Sequence, residues 1–546
     1  MKIDAVSYPG SNPITHDYLQ PAHPIHSFFS YHPMNAESFV QRAKWVDGRK
    51  EQYSRARLVE VLRSYHQPEL DHPAIQRNLE RLSEPDSLVV IGGQQAGLLT
   101  GPLYTLYKAV TIIQLAEREQ ERLNRPVIPV FWIAGEDHDR NEVDHVWIQT
   151  SEGVPVKHRF SSGDEKKRPV SSLYIKKEEM ERWLDELGRI LPDREYKKEW
   201  AERLKKWTNE PVTWSRFFAR VMHHLFADRG LLMIDSAYPE LRRMEAPFFK
   251  HLIKINDSIH SRVMETAEEL KKLGYPVAVD LKKNQAHLFV QVEDERLSLV
   301  RDQGLWRSRD GRESFSDDEL LSLAEQEPER LSNNVITRPL MQEYLFPTLA
   351  FVGGPGEISY WALLKQAFEE AGFRMPVVYP RLRMTLIDRT AYKRMQEFGL
   401  TWSDLFTRFG EKKEEWLADR QPFHLDDLFL PVKEQIIASY QPLIRLLSEE
   451  IGMDLYEMGQ KNQQKILEQV DYFYNYTKRS IENKYRTELR HWEEISNTCL
   501  PLDKLQERVY NLVNYWNEYG LSWLSRLLET PLLTGNEEFE HRCIIL

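Results

Sequence analysis

Cysteine is nearly absent, with Cys499 and Cys543 the only two among 546 residues. Two thiols build neither a disulfide framework nor a four-cysteine zinc site, and they take cysteine-pair redox chemistry off the list. The chain is expected in a reducing cytoplasm. Long hydrophobic runs are missing too: nothing approaches the ~20 apolar residues of a membrane span, and the opening MKIDAVSYPGSNP lacks an apolar signal core. No membrane partner is expected. Basic residues are outnumbered, 73 Lys and Arg against 84 Asp and Glu, for a formal net charge of −11. That balance disfavours a nucleic-acid partner, whose binding needs basic patches that displace counterions. Fixed-period repeats, low-complexity tracts and highly charged, apolar-poor segments are also lacking, so order is expected throughout.

What is present reads as ordinary globular composition, 41% hydrophobic and 29% charged. Single cores stop growing near ~250–300 residues, so two or three domains are expected. Leu88-Val-Val-Ile91 runs into GGQQAGLLTGPLY and then a helical pattern from Tyr104, a buried strand ending in glycines and opening a helix. Val127-Ile-Pro-Val-Phe-Trp-Ile-Ala134 is a second strand, and Gly230–Asp235, Leu349–Val352 and Met375–Tyr379 read as three more. Short apolar strands beside helical patterns imply an α/β fold with a Rossmann-like parallel-sheet core. That core is expected over residues 1–387, with inserted subdomains near 146–210 and 275–335, the second carrying β-hairpin structure from His287 onward. Beyond Asp388 helical patterns dominate, and no proline falls between Pro442 and Pro501. One very long helix is expected there, striped by Ile466, Val470, Phe473, Ile481, Tyr485, Leu489 and Trp492, within a helical coiled-coil domain over 388–505. It reads either as an arm that also dimerises or as a helix packed on its own domain. Residues 506–546 are expected to form a helical tail packing back on the core or the coiled coil.

Ligands of open parallel sheets sit outside the carboxyl ends of the strands, so three polar loops are expected to meet. In the first, Gly92, Gly93 and Gly97 let backbone N–H groups approach an anion while Gln94 and Gln95 supply neutral hydrogen bonds; the alternative is a tight turn with solvated glutamines. It has neither a Walker Lys-Ser/Thr ending nor GxGxxG spacing. The second packs Glu136, Asp137, His138, Asp139, Asn141, Glu142, Asp144 and His145 into ten residues. On a helix His138, Glu142 and His145 would share a face, suited to acid/base work or to a divalent metal. Substrate binding or acid/base work is the preferred reading, no resident metal is expected, and helix capping by Asp137 or Asp139 is the structural alternative. The third loop, Gly353-Gly-Pro-Gly, places Gly354, Glu357 and Tyr360 at the start of a helix, where Glu357 either meets a ligand or complements the helix dipole. Tyr104 and Lys108, one turn apart on the first helix, are further candidates. Near the C-terminus Tyr510, Tyr515 and Trp516 would stack an adenine or fill ordinary core.

Together GGQQAGLLTGPLYTLYKA, PVFWIAGEDHDRNEVDH and FVGGPGEISYWALL make the chain, over essentially its full length, similar to the bacillithiol biosynthesis cysteine-adding enzymes. The resemblance implies a Rossmann core with two connecting-peptide insertions, a coiled-coil domain mediating homodimerisation, and a ligase that forms an amide between L-cysteine and the amino group of glucosaminyl-malate. The core resembles class I aminoacyl-tRNA synthetases and the cysteine ligase of mycothiol synthesis, but neither His-Ile-Gly-His nor Lys-Met-Ser-Lys-Ser occurs. Amide formation in water needs an activated carboxyl group, so ATP, another nucleotide or another activated donor is implied. On this reading Gln94, Gln95, Asp137 and His138 surround the amine and the tetrahedral centre, with His138 or Asp137 taking the proton. Gly93, Gly97, Tyr104, Asn141, Gly354, Glu357 and Tyr360 would bind substrate, and Arg338, Arg381 and Arg383 would pair the malate carboxylates. Two other readings stand beside it: a nucleotidyl- or phosphoryl-transferring enzyme using the acidic loop with magnesium, and a non-enzymatic coiled-coil scaffold.

Overall fold

The five apolar runs become five parallel strands. The computed structural model describes residues 1–8, 10, 12–49, 54–161, 168–421, 423–535 and 538–546. It divides into two units, residues 1–386 with 504–544 and 546, and residues 387–503 with 545. In the first unit the strands lie in the order Val377–Pro380, Thr348–Gly353, Leu88–Gln94, Val127–Ile133, Leu232–Asp235. Val127–Ile133 is buried along its whole length, as expected of a central strand in a sheet covered on both faces. Helix Tyr104–Leu123 packs on Leu88–Gln94 and Val127–Ile133. From Leu88–Gln94 the chain works outward to Val127–Ile133 and Leu232–Asp235, then returns to the other side for the last two strands. That reversal is the switch point of a Rossmann-like sheet, and it opens a crevice at the carboxyl ends of Leu88–Gln94 and Thr348–Gly353.

Between the second and third strands stand the hairpin His145–Gln149/Pro155–Arg159 and the helices Lys177–Ile190 and Lys197–Trp207. Residues 162–167, within the first expected insertion, lie outside the described residues. Between the third and fourth strands, an antiparallel sheet of five strands is built around Gln285–Val292 and Glu295–Asp302. Its connections are tight two-residue turns: Val292 pairs with Glu295, and Asp302 with Leu305. At the second turn Gln303 and Gly304 both take positive φ, the geometry that matches the twist of a hairpin. The sheet closes with Leu331–Asn333, which pairs with Gln285–Val292 and leads into helix Thr337–Leu345. Behind that helix, buried Arg42 pairs with Glu343 at 2.7 Å and donates to Thr348 O at 2.8 Å, fixing the helix to the neighbouring core strand.

The tail, residues 504–544, folds within the first unit. It is not helical throughout: after helices Leu512–Tyr519 and Ser522–Glu529 it ends in the strand His541–Ile545. Among the described residues no helix is long and apolar enough to cross a membrane.

Apart from the strand ends Ile387 and Ile545, the described residues of the second unit form helices and their connecting turns. The single long helix expected after Pro442 is three helices, Leu425–Glu450, Asp454–Lys484 and Arg486–Cys499. The chain reverses at Ile451–Met453, where Gly452 lacks the side chain that a continued helix favours, and the first two helices pack antiparallel. Hydrogen bonds join Asp426 to Tyr474 at 3.0 Å, Lys433 to Asp471, and Tyr440 to Asn462 at 2.9 Å, partners whose numbers rise on one helix as they fall on the other. Of the expected stripe, Trp492 is buried against Phe398, at 4.8 Å between rings, whereas Phe473 is 61% exposed.

Candidate functional site

A cavity of about 580 Å3 sits at the switch point. Gly93, Gln94 and Gln95 from the first loop, Glu136 and Asp137 from the second, and Gly354, Glu357 and Tyr360 from the third all line it. The meeting of the three loops follows from backbone register: Gly93 stands opposite Trp132 and Gln94 opposite Ile133, so both loops leave the sheet at the same level. A Cβ on Gly93 would lie 2.6 Å from Trp132 O, so only glycine lets these strands approach here.

Two side-chain links tie the loops together. Gln95 Nε2 donates to Asp137 Oδ2 at 2.7 Å, joining the first to the second. Lys108, one turn into the helix after the first loop, donates to Gly93 O at 2.6 Å, to Gln94 Oε1 at 3.0 Å and to Glu357 Oε2, joining the first to the third. Glu357 also accepts from Gly354 N at 2.8 Å and so closes its own helix start. Burial pulls the Lys108 ammonium below its ordinary value, and the Glu357 charge offsets part of that pull. Burial alone would raise the Asp137 carboxyl, but the Gln95 hydrogen bond and the Arg296 charge outweigh it and hold Asp137 below the usual carboxylate range. Asp137 Oδ1 accepts from His138 N at 2.8 Å as well.

The far wall comes from the inserted sheet and the helix that follows it: Arg338, which was expected at the site, and Gln285, Phe289, Arg296, Asn333 and Gln342, which local sequence did not announce. Arg296 lies 3.8 Å over the Phe289 ring and donates to Ser332 Oγ at 2.9 Å and Asn333 O at 2.6 Å. Its Nη1 stands 3.5 Å from His138 Nδ1. Arg338 donates to Tyr360 Oη at 3.2 Å, and exposed Arg508, from the tail, completes the basic lining. One signal was available in advance: Arg338 and Gln342 are four apart on a helix and share a face.

Several expected site residues stand elsewhere. His138 is beside the cavity without lining it. Gly97 serves the turn instead, since a Cβ there would fall 2.7 Å from Gly101 Cα. That turn holds Leu99 and Thr100 at positive φ, and buried Asn511 clamps it by donating to the carbonyls of Leu98, Leu99 and Gly101 at 3.1, 3.0 and 2.7 Å. Asn141 is exposed and accepts from Arg159 at 3.1 Å. The shared helical face of His138, Glu142 and His145 does not form, because the helix is the single turn Arg140–Val143 and His145 begins a strand. Among the described residues no group of three or more His, Cys, Asp or Glu is placed to hold a metal ion. Tyr104 and Arg381 do line the cavity, with the guanidinium 5.4 Å over the Tyr104 ring, but Arg381 is committed to a buried two-pronged pair with Glu507 at 2.7 and 3.1 Å. Arg383 is taken by the carbonyls of Tyr8 and Phe539 at 3.2 and 2.9 Å. Tyr510 and Trp516 are buried in the core, Tyr515 packs against it, and none of the three reaches the cavity: apolar burial claims them.

Comparison with known proteins puts this architecture in the class of ligases that join a Rossmann-like domain to a coiled coil. Residues 1–382 match the family described as "Bacillithiol biosynthesis BshC, N-terminal Rossmann-like domain", and residues 384–544 match "Bacillithiol biosynthesis BshC, C-terminal coiled-coil domain". The chain belongs to the bacillithiol biosynthesis BshC family. Among its relatives are proteins named "Putative cysteine ligase BshC" from Bacillus cereus (strain Q1), 37% identical over 97% of this chain and 98% of that protein, and from Geobacillus sp. (strain WCH70), 37% identical over 97% of each.

Proposed function

We propose that this chain joins the activated carboxyl group of L-cysteine to the amino group of glucosaminyl-malate, the last step of bacillithiol synthesis, in the cytoplasm. The observation that carries this reading is the Gln95–Asp137 hydrogen bond of 2.7 Å on the floor of a cavity whose other walls carry guanidinium groups. Asp137, held ionised, takes the acceptor amine by a charge-assisted hydrogen bond and aims its lone pair. As the C–N bond forms and the activating group departs from the acyl carbon, the nitrogen becomes far more acidic. Its proton then passes to Asp137, which is base enough for that step despite its lowered pKa. Gln94, fixed by Lys108, offers its amide to the developing oxyanion. Arg338 and Arg508 pair the malate carboxylates, because Arg381 and Arg383 are already engaged.

The helical hairpin leaves Leu446, Met458, Tyr472, Phe473 and Tyr476 between 56% and 67% exposed, a face that suits a second copy of the chain and a homodimer. Sedimentation of the purified protein reads that state directly, and a monomer at micromolar concentration overturns it.

The function is tested by deleting the gene in a bacillithiol-producing bacterium and measuring low-molecular-weight thiols by mass spectrometry. Accumulated glucosaminyl-malate without bacillithiol is the expected result, restored by the wild-type gene but not by Asp137→Asn, which should lose about 100-fold or more in rate. Unchanged bacillithiol in the deletion strain overturns the reading.

A further inference from the structure

Five buried side-chain atoms of the cavity wall have no hydrogen-bond partner among the described residues: Oδ1 and Nδ2 of Asn333, Oε1 of Gln342, Oε1 of Gln285 and Nε1 of Trp132. Asn333, Gln342 and Trp132 are 2%, 3% and 1% exposed. A buried polar group without a partner is costly, so a cluster of them on one cavity marks a place where a ligand completes the bonding. All are neutral amides or an indole N–H, which match hydroxyl groups rather than charges. We infer that this wall is the subsite for an uncharged polyhydroxyl ring, and that the ring is the pyranose of the amine acceptor; the inference rests on the cysteine-ligation reading.

Position favours the pyranose over the ribose of a nucleotide. Gln342 follows Arg338 by one helical turn on the same face of Thr337–Leu345, so a hydroxyl-binding group adjoins a carboxylate-binding one. Glucosaminyl-malate carries a sugar bonded to a dicarboxylate in that arrangement. Asn333 is the last residue of the strand beside Gln285–Val292, and its carbonyl holds Arg296, so its side chain is fixed by the same sheet that positions the Arg296 cation near Asp137.

The test is calorimetric titration of Asn333→Leu and Gln342→Met, substitutions of similar volume, with glucosaminyl-malate, malate and ADP. Each variant should bind glucosaminyl-malate about tenfold more weakly, with malate and ADP changed less than about twofold. Each should melt no lower than wild type, because Asn333 Oδ1 and Nδ2 and Gln342 Oε1 have no partner among the described residues. If Asn333→Leu fails to fold, Gln342→Met decides alone. Unchanged glucosaminyl-malate affinity, an equal loss for malate, or a loss confined to ADP overturns the assignment. Wild-type protein that binds no glucosaminyl-malate overturns the cysteine-ligation reading itself, a result distinct from wild-type binding that the variants leave intact.

Discussion

Replacing Lys108 by Met tests whether one buried cation ties the two glycine loops together. The Lys108 side chain is 1% exposed and Glu357 is 22% exposed. Removing one partner of a fully buried ion pair costs about 3–5 kcal/mol, because the other charge is left dry and unpaired. Glu357 keeps some water and the hydrogen bond from Gly354 N at 2.8 Å, so its share is smaller. Gly93 O and Gln94 Oε1 lose a charged donor as well, and such bonds contribute about 1.5–3 kcal/mol each before water replaces them. Lys108→Met should therefore lower the free energy of unfolding by about 2–3 kcal/mol, and Glu357→Gln by about 1 kcal/mol. Much of the first loss is the cost of an orphaned carboxylate, so the double variant should lose less than the sum by about 1 kcal/mol or more. Urea unfolding followed by intrinsic tryptophan fluorescence measures all four proteins. Additive losses, or a Lys108→Met protein as stable as wild type, refute the tether.

Arg42→Ala should cost about 3 kcal/mol, the low end for a broken buried pair, because Arg49 still reaches Glu343 at 2.7 Å; a thermal melt within experimental error of wild type contradicts this. Asn511→Ala removes the donor for three carbonyls and should cost about 2–3 kcal/mol while speeding amide exchange across residues 98–101; protection unchanged there shows that the turn holds its positive φ values without the clamp. Burial pushes the His287 imidazole down to about 3 from its ordinary 6.5. The folded pKa being the lower one, its contribution is complete above about pH 6.5 and drains away as pH falls toward 3, since the unfolded chain takes up the proton first. Wild-type stability should therefore fall on acidification from pH 7 to 4.5, and His287→Gln should flatten that fall by up to one proton; an identical pH slope in the variant excludes His287 as a source.

The strand–glycine–helix blocks are legible in the sequence because what makes them is local. An apolar run, a residue without Cβ and a helix start are all visible within some fifteen positions, and the sheet order at their carboxyl ends then brings Gln95, Asp137 and Glu357 together. The opposite wall is not legible that way. Arg296 reaches the neighbourhood of His138 across 158 positions of chain, from a strand whose alternation announces a hairpin but not which cavity it faces. The same limit explains the arginines. A guanidinium in a sequence shows a cation and nothing of its partner, so Arg381 and Arg383 looked as available as Arg338. Glu507, 126 positions beyond Arg381, takes the first, and two backbone carbonyls take the second. The helical hairpin fails to announce itself for a related reason. The absence of proline from Pro442 to Pro501 permits a continuous helix but does not require one, and the reversal at Gly452 is favoured by pairings such as Gln441 with Gln463 that exist only once the chain has turned back. What separates the legible from the illegible here is the sequence distance between a group and whatever satisfies it. The Asn333 amide is the extreme case: it has no partner among the described residues, and on the reading proposed above its partner is the substrate.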